Sequence, residues 1–420
     1  MSQNDTEIGL KKIYLIKVEP GANNNKFYNM FEVGDGTFRA EYGRVGGHTA
    51  IEVYPMSKWE AKYKEKLSTR KGYVDKTHLF TEEIVQDKGK STITEITDRV
   101  VAQLVKELQG YAKGSVEKNY IVSSEKVTQK MIDEAQVLVD EITNMIKLGQ
   151  DTAPMNKILV ELFQVIPRKM THVKDYLFED NEIKNAAALA AAQQLIGQEQ
   201  ATLDVMAGQV STQDKTDVKS AKPSASTILD AMGLIIIEAP KTDIPLIKDL
   251  MGPNANQFKK AYQVTNKRTQ ERFDKALKNF SNKKVELFWH GSRNENWWSI
   301  MDKGWMIRPA NAVITGKYYG YGIYWADKFK KSLGYTSHRG SYWAGGNSDK
   351  AFLSLATVHV GNQLNTKKHE YWHSDLDFKK LRARGDYDSV FAHGGADLIN
   401  NEYIVYTENQ CTIKYLVEVG

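Results

Sequence analysis

Tryptophan is distributed very unevenly along this chain. Trp59 stands alone near the start, and the other seven (Trp289, Trp297, Trp298, Trp305, Trp325, Trp343 and Trp372) fall in one late stretch. The middle therefore has a different character from either end. At 420 residues, and at roughly 100 to 200 residues per domain, the chain needs more than one core.

Local patterning supports this division. Residues 8–90 read as β-rich, with KIYLIKVE (12–19), KFYNMFEVG (26–34) and TFRAEYGRVG (37–46) as strands. Gly34-Asp35-Gly36 is a hairpin-type turn, and a helix is expected from Ser57 to Leu67. Residues 91–212 read as helical, with no proline between Met56 and Ala153. Val100, Val101, Leu104, Val105 and Leu108 recur at helical spacing, as do Met131, Ala135, Leu138, Val139 and Ile142. Ser211 to Ser226 lacks periodicity and reads as a linker or exposed loop. From 227 onward strands return, including VELFWHG, GYGIYWA, AFLSLATVHVG, EYIVY and CTIKYLVEV.

Composition narrows the function classes. Hydrophobic residues at 41% and charged residues at 26% exclude wholesale disorder. The single cysteine, Cys411, excludes a disulfide framework and any Cys-rich zinc site. MSQNDTEIGLKK lacks the apolar run of a signal peptide, and no stretch approaches a membrane span. A soluble, intracellular protein with no membrane partner is expected, nuclear in a eukaryote and cytoplasmic in a prokaryote. The net charge of +5 is too mild to announce nucleic acid. From Lys58 to Lys71, however, six basic residues face two acidic ones, interleaved with Trp59 and Tyr63. Such a cluster suits phosphate contacts or a solvated amphipathic helix.

Three late patches combine glycine with polar groups. The first is Trp289-His290-Gly291-Ser292-Arg293, where Gly291 admits close approach of a ligand to the backbone. The second is Gly320 to Asp327, GYGIYWAD, followed by Ser332 and Tyr335. The third is Asn401-Glu402-Tyr403-Ile404-Val405-Tyr406. Each alone is ordinary; their joint occurrence in this order is not.

The order HGS, GxGIYxAD-x4-S-x2-Y and NEYIVY resembles the catalytic domain of the poly(ADP-ribose) polymerases, over about residues 235–420. RTQERFDKALKNFSNKKVELFWHGSR and the Gly304–Gly316 stretch fit as well. The resemblance implies an ADP-ribosyltransferase that takes NAD as substrate and releases nicotinamide. It implies catalytic roles for His290, Tyr324 and Glu402. It further implies that Gly291 and Ser332 hold the nicotinamide carboxamide, and that Tyr335 stacks on the ring with Tyr324 on the other side. His290, Ser292 and Asn296 would hold the adenosine side, Gly322 would shape the pocket, and Glu402 would bind the ribose 2′-hydroxyl. Trp325 stands where Phe is more common, and Met306 where Arg is common. Lys331 matches a lysine often near the acceptor side, or is a solvated surface charge.

Tyr42-Gly43-Arg44-Val45-Gly46, the helix around Trp59 and Lys71-Gly72-Tyr73 resemble a WGR domain, with Tyr42 in place of the name-giving Trp. That resemblance implies DNA as partner, with breaks or ends, contacted through Tyr42, Arg44, Lys58, Trp59 and Lys62. The expected architecture is α+β and multidomain: a small β-rich WGR-like domain with a helix (1–92), an all-α helical regulatory domain (93–226) and a mixed α/β ADP-ribosyltransferase domain (227–420). Acceptors would be proteins, the enzyme itself included, and the product either polymer or a single ADP-ribose. Two competing readings stand beside it. His369-Glu370-Tyr371-Trp372-His373 is a literal H-E-x-x-H, the zinc-hydrolase pattern that needs both histidines on one helical face. The other is a catalytically dead DNA-binding scaffold.

Overall fold

The computed structural model describes residues 10–80, 94–120, 127–179, 183, 186–217, 227–307, 318–342 and 344–420. These separate into two compact units, residues 10–80 with 114–210 and residues 94–113 with 211–420. Both sheets and helices are present in quantity, an α+β chain. Among the described residues, no helix is long and apolar enough to cross a membrane.

The first unit opens with β1 (Lys12–Glu19), β2 (Asn24–Glu32), β3 (Thr37–Arg44), β4 (Thr49–Pro55) and β5 (Val74–Asp75). They form one sheet in the order β4-β3-β2-β1-β5, antiparallel throughout. The turn between β2 and β3 needs Gly34 at φ 89° and Gly36 at φ 83°, left-handed values that glycine adopts without strain. Asp35 Oδ1 closes it by accepting from Thr37 N at 2.9 Å. Leu15, Tyr28, Met30, Phe38 and Ala40 face the core, and α1 (Trp59–Leu67) adds Trp59 edge-on to Phe38 at 5.1 Å. A short α2 (Thr77–Phe80) follows.

The helical stretch comprises α3 (Arg99–Asn119), α4 (Gln129–Lys147), α5 (Thr152–Val165) and α6 (Ala186–Asp217). Met131, Ala135, Leu138, Val139 and Ile142 of α4 are all buried, as their spacing requires, and Thr128 caps the helix through Met131 N. α6 continues through Ser211 to Asp217, where a linker was expected; no glycine or proline occurs between Gly208 and Pro223. The remainder of that expected linker, 218–226, lies outside the described residues. The helical stretch was also expected as a body of its own. The contact division falls within α3, after Lys113, and Val101, Leu104, Val105 and Leu108 share one core with Trp297, Trp298 and Phe352.

The second unit carries α7 (Ile228–Met232), β6 (Leu234–Glu238), α8 (Ile244–Met251), β7 (Phe258–Asn266), α9 (Lys267–Asn279), β8 (Val285–Gly291), α10 (Trp297–Lys303), β9 (Ile323–Trp325), α11 (Phe329–Leu333), β10 (Ala351–His359), β11 (Gln363–Thr366), α12 (Phe378–Arg382), β12 (Ser389–Ala392), β13 (Glu402–Val405) and β14 (Cys411–Val419). The first sheet runs β6-β7-β14-β10-β8 and the second β11-β12-β13-β9. Central strand β10 is buried along almost its whole length, which is why AFLSLATVH reads as a continuous apolar run rather than an alternation. The two sheets meet where Trp289 and Ala326 exchange backbone hydrogen bonds of 2.8 and 3.0 Å. That junction sets the ends of β8, β9 and β13 beside one another.

Candidate active site

The site grows from the end of β8. Its pairing with β10 sets Ser354 opposite His290 and Leu353 opposite Gly291. A Cβ on Gly291 would lie 1.8 Å from the Ser332 carbonyl oxygen, a distance no side chain tolerates. The glycine therefore lets α11 and its buried Ser332 press directly on the strand end. Beyond it, Asn296 Nδ2 donates to Ser292 Oγ at 2.9 Å, so the two polar groups expected on the adenosine side are neighbours.

His290 faces β9. Its Nδ1 lies 3.1 Å from the Tyr324 carbonyl oxygen, and the Trp305 and Trp325 rings stand 5.7 and 5.4 Å from its centroid. Burial pushes the imidazole down to about 4, although the Tyr324 carbonyl works against that by favouring the charged form. The ring is therefore neutral at pH 7. Since a carbonyl can only accept, Nδ1 carries the hydrogen and Nε2 keeps its lone pair.

Tyr324 lies at the centre of β9, opposite Ile404 of β13. Its hydroxyl donates to the Gly320 carbonyl at 2.9 Å and accepts from Tyr319 N at 3.1 Å. The turn holding it is tight: Gly320 sits at φ 75°, and a Cβ there would come 2.2 Å from the Leu376 carbonyl oxygen. Gly322 leaves equally little room, 2.3 Å from Ile404 Cγ2. Tyr335, just after α11, is 43% exposed.

Glu402 opens β13 and is buried. Lys331 Nζ donates to its Oε1 at 2.6 Å and to the Asn401 carbonyl at 3.1 Å. The other carboxylate oxygen, Oε2, is buried with no hydrogen-bond partner among the described residues. Lys331 is thus an ion-pair partner of Glu402 rather than a solvated surface charge, and burial lowers its basicity. Asn401 in turn donates to Asp327 Oδ2 at 2.7 Å, tying the strand to the GIYWAD segment. The Lys331–Glu402 and Asn401–Asp327 contacts join residues some 70 positions apart, and no local spacing signals them.

The arrangement has the chemistry of glycosyl transfer. Breaking a ribose–nicotinamide bond develops positive charge on the sugar, and an ionised carboxylate with a free oxygen stabilises that charge and accepts from a sugar hydroxyl. Among the described residues, neither Glu402 Oε2 nor His290 Nε2 makes a hydrogen bond.

The nucleic-acid residues expected in the first unit divide. Tyr42 stacks on Tyr28 at 5.5 Å and donates to Glu52 Oε1 at 2.6 Å, with its ring part exposed. Lys58 is exposed, and Lys62 lies 4.9 Å from the centre of the Tyr54 ring. Two expectations need correction. Trp59 is 5% exposed and belongs to the core of the unit, so its indole does not reach a ligand. The Arg44 guanidinium donates to the carbonyls of Asn23, Met170 and Thr171 at 2.7 to 2.9 Å and is occupied with protein. Lys64 and Arg70, counted in the basic cluster but not among the expected contacts, are exposed on the same stretch.

The H-E-x-x-H segment does not form a zinc helix. His369 and Glu370 precede a single short 3-10 turn, Tyr371–Asp375. His373 Nδ1 accepts from Glu370 N at 2.7 Å, and His369 Nε2 lies 2.8 Å from Ser374 Oγ. Among the described residues, no group of three or more His, Cys, Asp or Glu could hold a metal.

Residues 251–420 match the family described as Poly(ADP-ribose) polymerase catalytic domain. The chain is 33% identical over 170 residues to the poly [ADP-ribose] polymerase-like 100L of Invertebrate iridescent virus 6, covering 39% of this chain and 87% of that protein. It is 32% identical over 157 residues to Poly [ADP-ribose] polymerase 2 of Homo sapiens, covering 32% of this chain and 26% of the human one. With Poly [ADP-ribose] polymerase of Drosophila melanogaster it shares 24% over 313 residues, covering 69% of this chain and 31% of the other. The chain thus belongs to the poly(ADP-ribose) polymerase family and is an enzyme that transfers ADP-ribose from NAD.

Proposed function

We propose that this enzyme extends ADP-ribose chains on protein acceptors, itself included, and that DNA with a break stimulates it. Residues 1–92 are a WGR-like module that binds the DNA, 93–226 a helical regulatory segment, and 227–420 the catalytic domain. One observation carries the catalytic part: among the described residues, Glu402 Oε2 is buried without a hydrogen-bond partner while Oε1 is paired with Lys331.

In this reading Gly291 and Ser332 hold the nicotinamide carboxamide, and Tyr335 and Tyr324 flank its cationic ring. His290, with Ser292 and Asn296, takes the adenosine side. Glu402 accepts from the 2′-hydroxyl of the nicotinamide ribose, steadies the developing oxocarbenium and polarises the attacking acceptor hydroxyl. The leaving nicotinamide departs neutral, and the acceptor proton passes to solvent. Retention of the glutamate in the family goes with chain elongation, which favours polymer over a single ADP-ribose.

The DNA part rests on the exposed Lys58, Lys64 and Arg70 and the part-exposed Tyr42, a basic and aromatic surface suited to phosphate and a terminal base. The helical part rests on α3, whose apolar stripe lies in the catalytic core and whose Glu107 pairs with Lys350 at 3.1 Å. The test is nicotinamide release with intact and with nicked or broken DNA. Faster release with broken DNA is expected, and equal rates would overturn the activation.

A further inference from the structure

Two features of the His290 pocket remain unexplained by NAD chemistry alone. Trp305 is 6% exposed and Trp325 1%, and the indole N–H of each is buried with no hydrogen-bond partner among the described residues. An unpaired buried donor destabilises a fold. A leucine would fill similar space without that cost, so the aromatic rings need a reason to be there.

Their placement supplies one. The indoles lie edge to face with each other, 4.7 Å apart at 72°. Both meet the His290 imidazole, at 71° for Trp305 and 60° for Trp325. Trp305 comes from the segment after α10, where Gly304 turns the chain at φ 79°, and Trp325 closes β9. Two separate elements therefore converge on one imidazole. Among the described residues, the groups that reach the ring are these indoles and the Tyr324 carbonyl, none of them charged. Nε2 makes no hydrogen bond among the described residues.

The geometry points to Trp305 and Trp325 as positioning residues for NAD: they clamp the His290 ring so that Nδ1–H stays on the Tyr324 carbonyl and the Nε2 lone pair is presented to a hydroxyl of the bound adenosine ribose. This deepens, and rests on, the reading in which His290 holds the adenosine side. Without the clamp the ring can turn about χ2, and the same nitrogen then points elsewhere or carries the proton. Burial by the two indoles also keeps the imidazole uncharged, so its acceptor character persists in mildly acidic solution. The clamp acts on binding, not on bond cleavage, since Glu402 and the nicotinamide contacts are left in place.

The experiment compares wild type with Trp325→Phe, Trp305→Phe, Trp305→Leu and His290→Ala in the full chain. The readouts are NAD kinetics and the 15N NMR tautomer signature of His290. Trp305→Leu is expected to raise KM for NAD about tenfold with kcat within about twofold. Its His290 signal should shift from the pure Nδ1–H form to a mixture that titrates nearer 6.5. Trp305→Phe, which keeps a ring, should recover most of the KM, and Trp325→Phe should show a smaller shift of the same sign. A wild-type tautomer and wild-type KM in both Trp→Phe variants and in Trp305→Leu would overturn the clamp. If Trp305→Leu does not fold, the two Trp→Phe variants decide: an unchanged His290 signal in both overturns the clamp, and a shifted one supports it. His290→Ala with unchanged KM would instead overturn the underlying reading, while the NMR result still judges the clamp.

Discussion

Lys331 Nζ lies 2.6 Å from Glu402 Oε1, with both side chains almost nine-tenths covered. A half-removed buried pair leaves an uncompensated charge, which typically costs about 3 to 5 kcal/mol. Lys331→Met should therefore destabilise the second unit by about 3 kcal/mol and slow nicotinamide release more than about tenfold. Chemical denaturation and NAD turnover on the same preparation check both. Unchanged values in both assays would make the pair incidental.

Gly291 has no room for a methyl group, given 1.8 Å to the Ser332 carbonyl. Gly291→Ala should displace α11 from the strand end, costing about 1 to 3 kcal/mol of stability and abolishing measurable NAD binding. Calorimetric titration with NAD provides the measurement.

The pH dependence of stability follows from His290. Its pKa is lowered to about 4 in the folded chain from an ordinary 6.5. Below about 6.5 the unfolded chain takes up a proton that the folded chain refuses until about 4. Stability from this group is complete above 6.5 and declines as pH falls toward 4, by about 3 kcal/mol in total. Urea unfolding at pH 7.5 and pH 4.5 should show that loss in wild type, and a smaller one in His290→Gln.

In the first unit, surface and core residues should separate. Lys58→Gln with Lys62→Gln should weaken binding to broken DNA and reduce the salt slope by about one to two. NAD turnover without DNA should stay unchanged. Trp59→Ala should instead unfold the unit's core, at about 3 to 5 kcal/mol. Filter binding across a salt series and thermal melting distinguish the two outcomes.

Where the sequence was legible, chemistry forced a residue type. Gly291, Gly320 and Gly322 could be picked out because only glycine allows the contacts they make, and the strands of the second unit because their apolar runs are buried. Lys331 was ambiguous because a lysine's sequence context does not show its partner; only the folded chain brings Glu402 to it. Trp59 misled because an indole among lysines reads equally well as a stacking platform or a core anchor, and Phe38 decides for the core. Arg44 misled in the same way, since two of the three carbonyls that hold it lie more than 120 positions away. The H-E-x-x-H pattern failed because the motif needs two turns of α-helix and the chain there forms one 3-10 turn.

The account depends most on Glu402. The direct measurement is ADP-ribose transfer from labelled NAD by wild type and Glu402→Gln, with broken DNA present, following nicotinamide release and product length together. Wild type should release nicotinamide and build chains. Glu402→Gln, isosteric but unable to stabilise a cationic sugar, should lose at least about a hundredfold in release and form no chains. A variant that releases nicotinamide and extends chains at the wild-type rate would contradict the role assigned to Glu402.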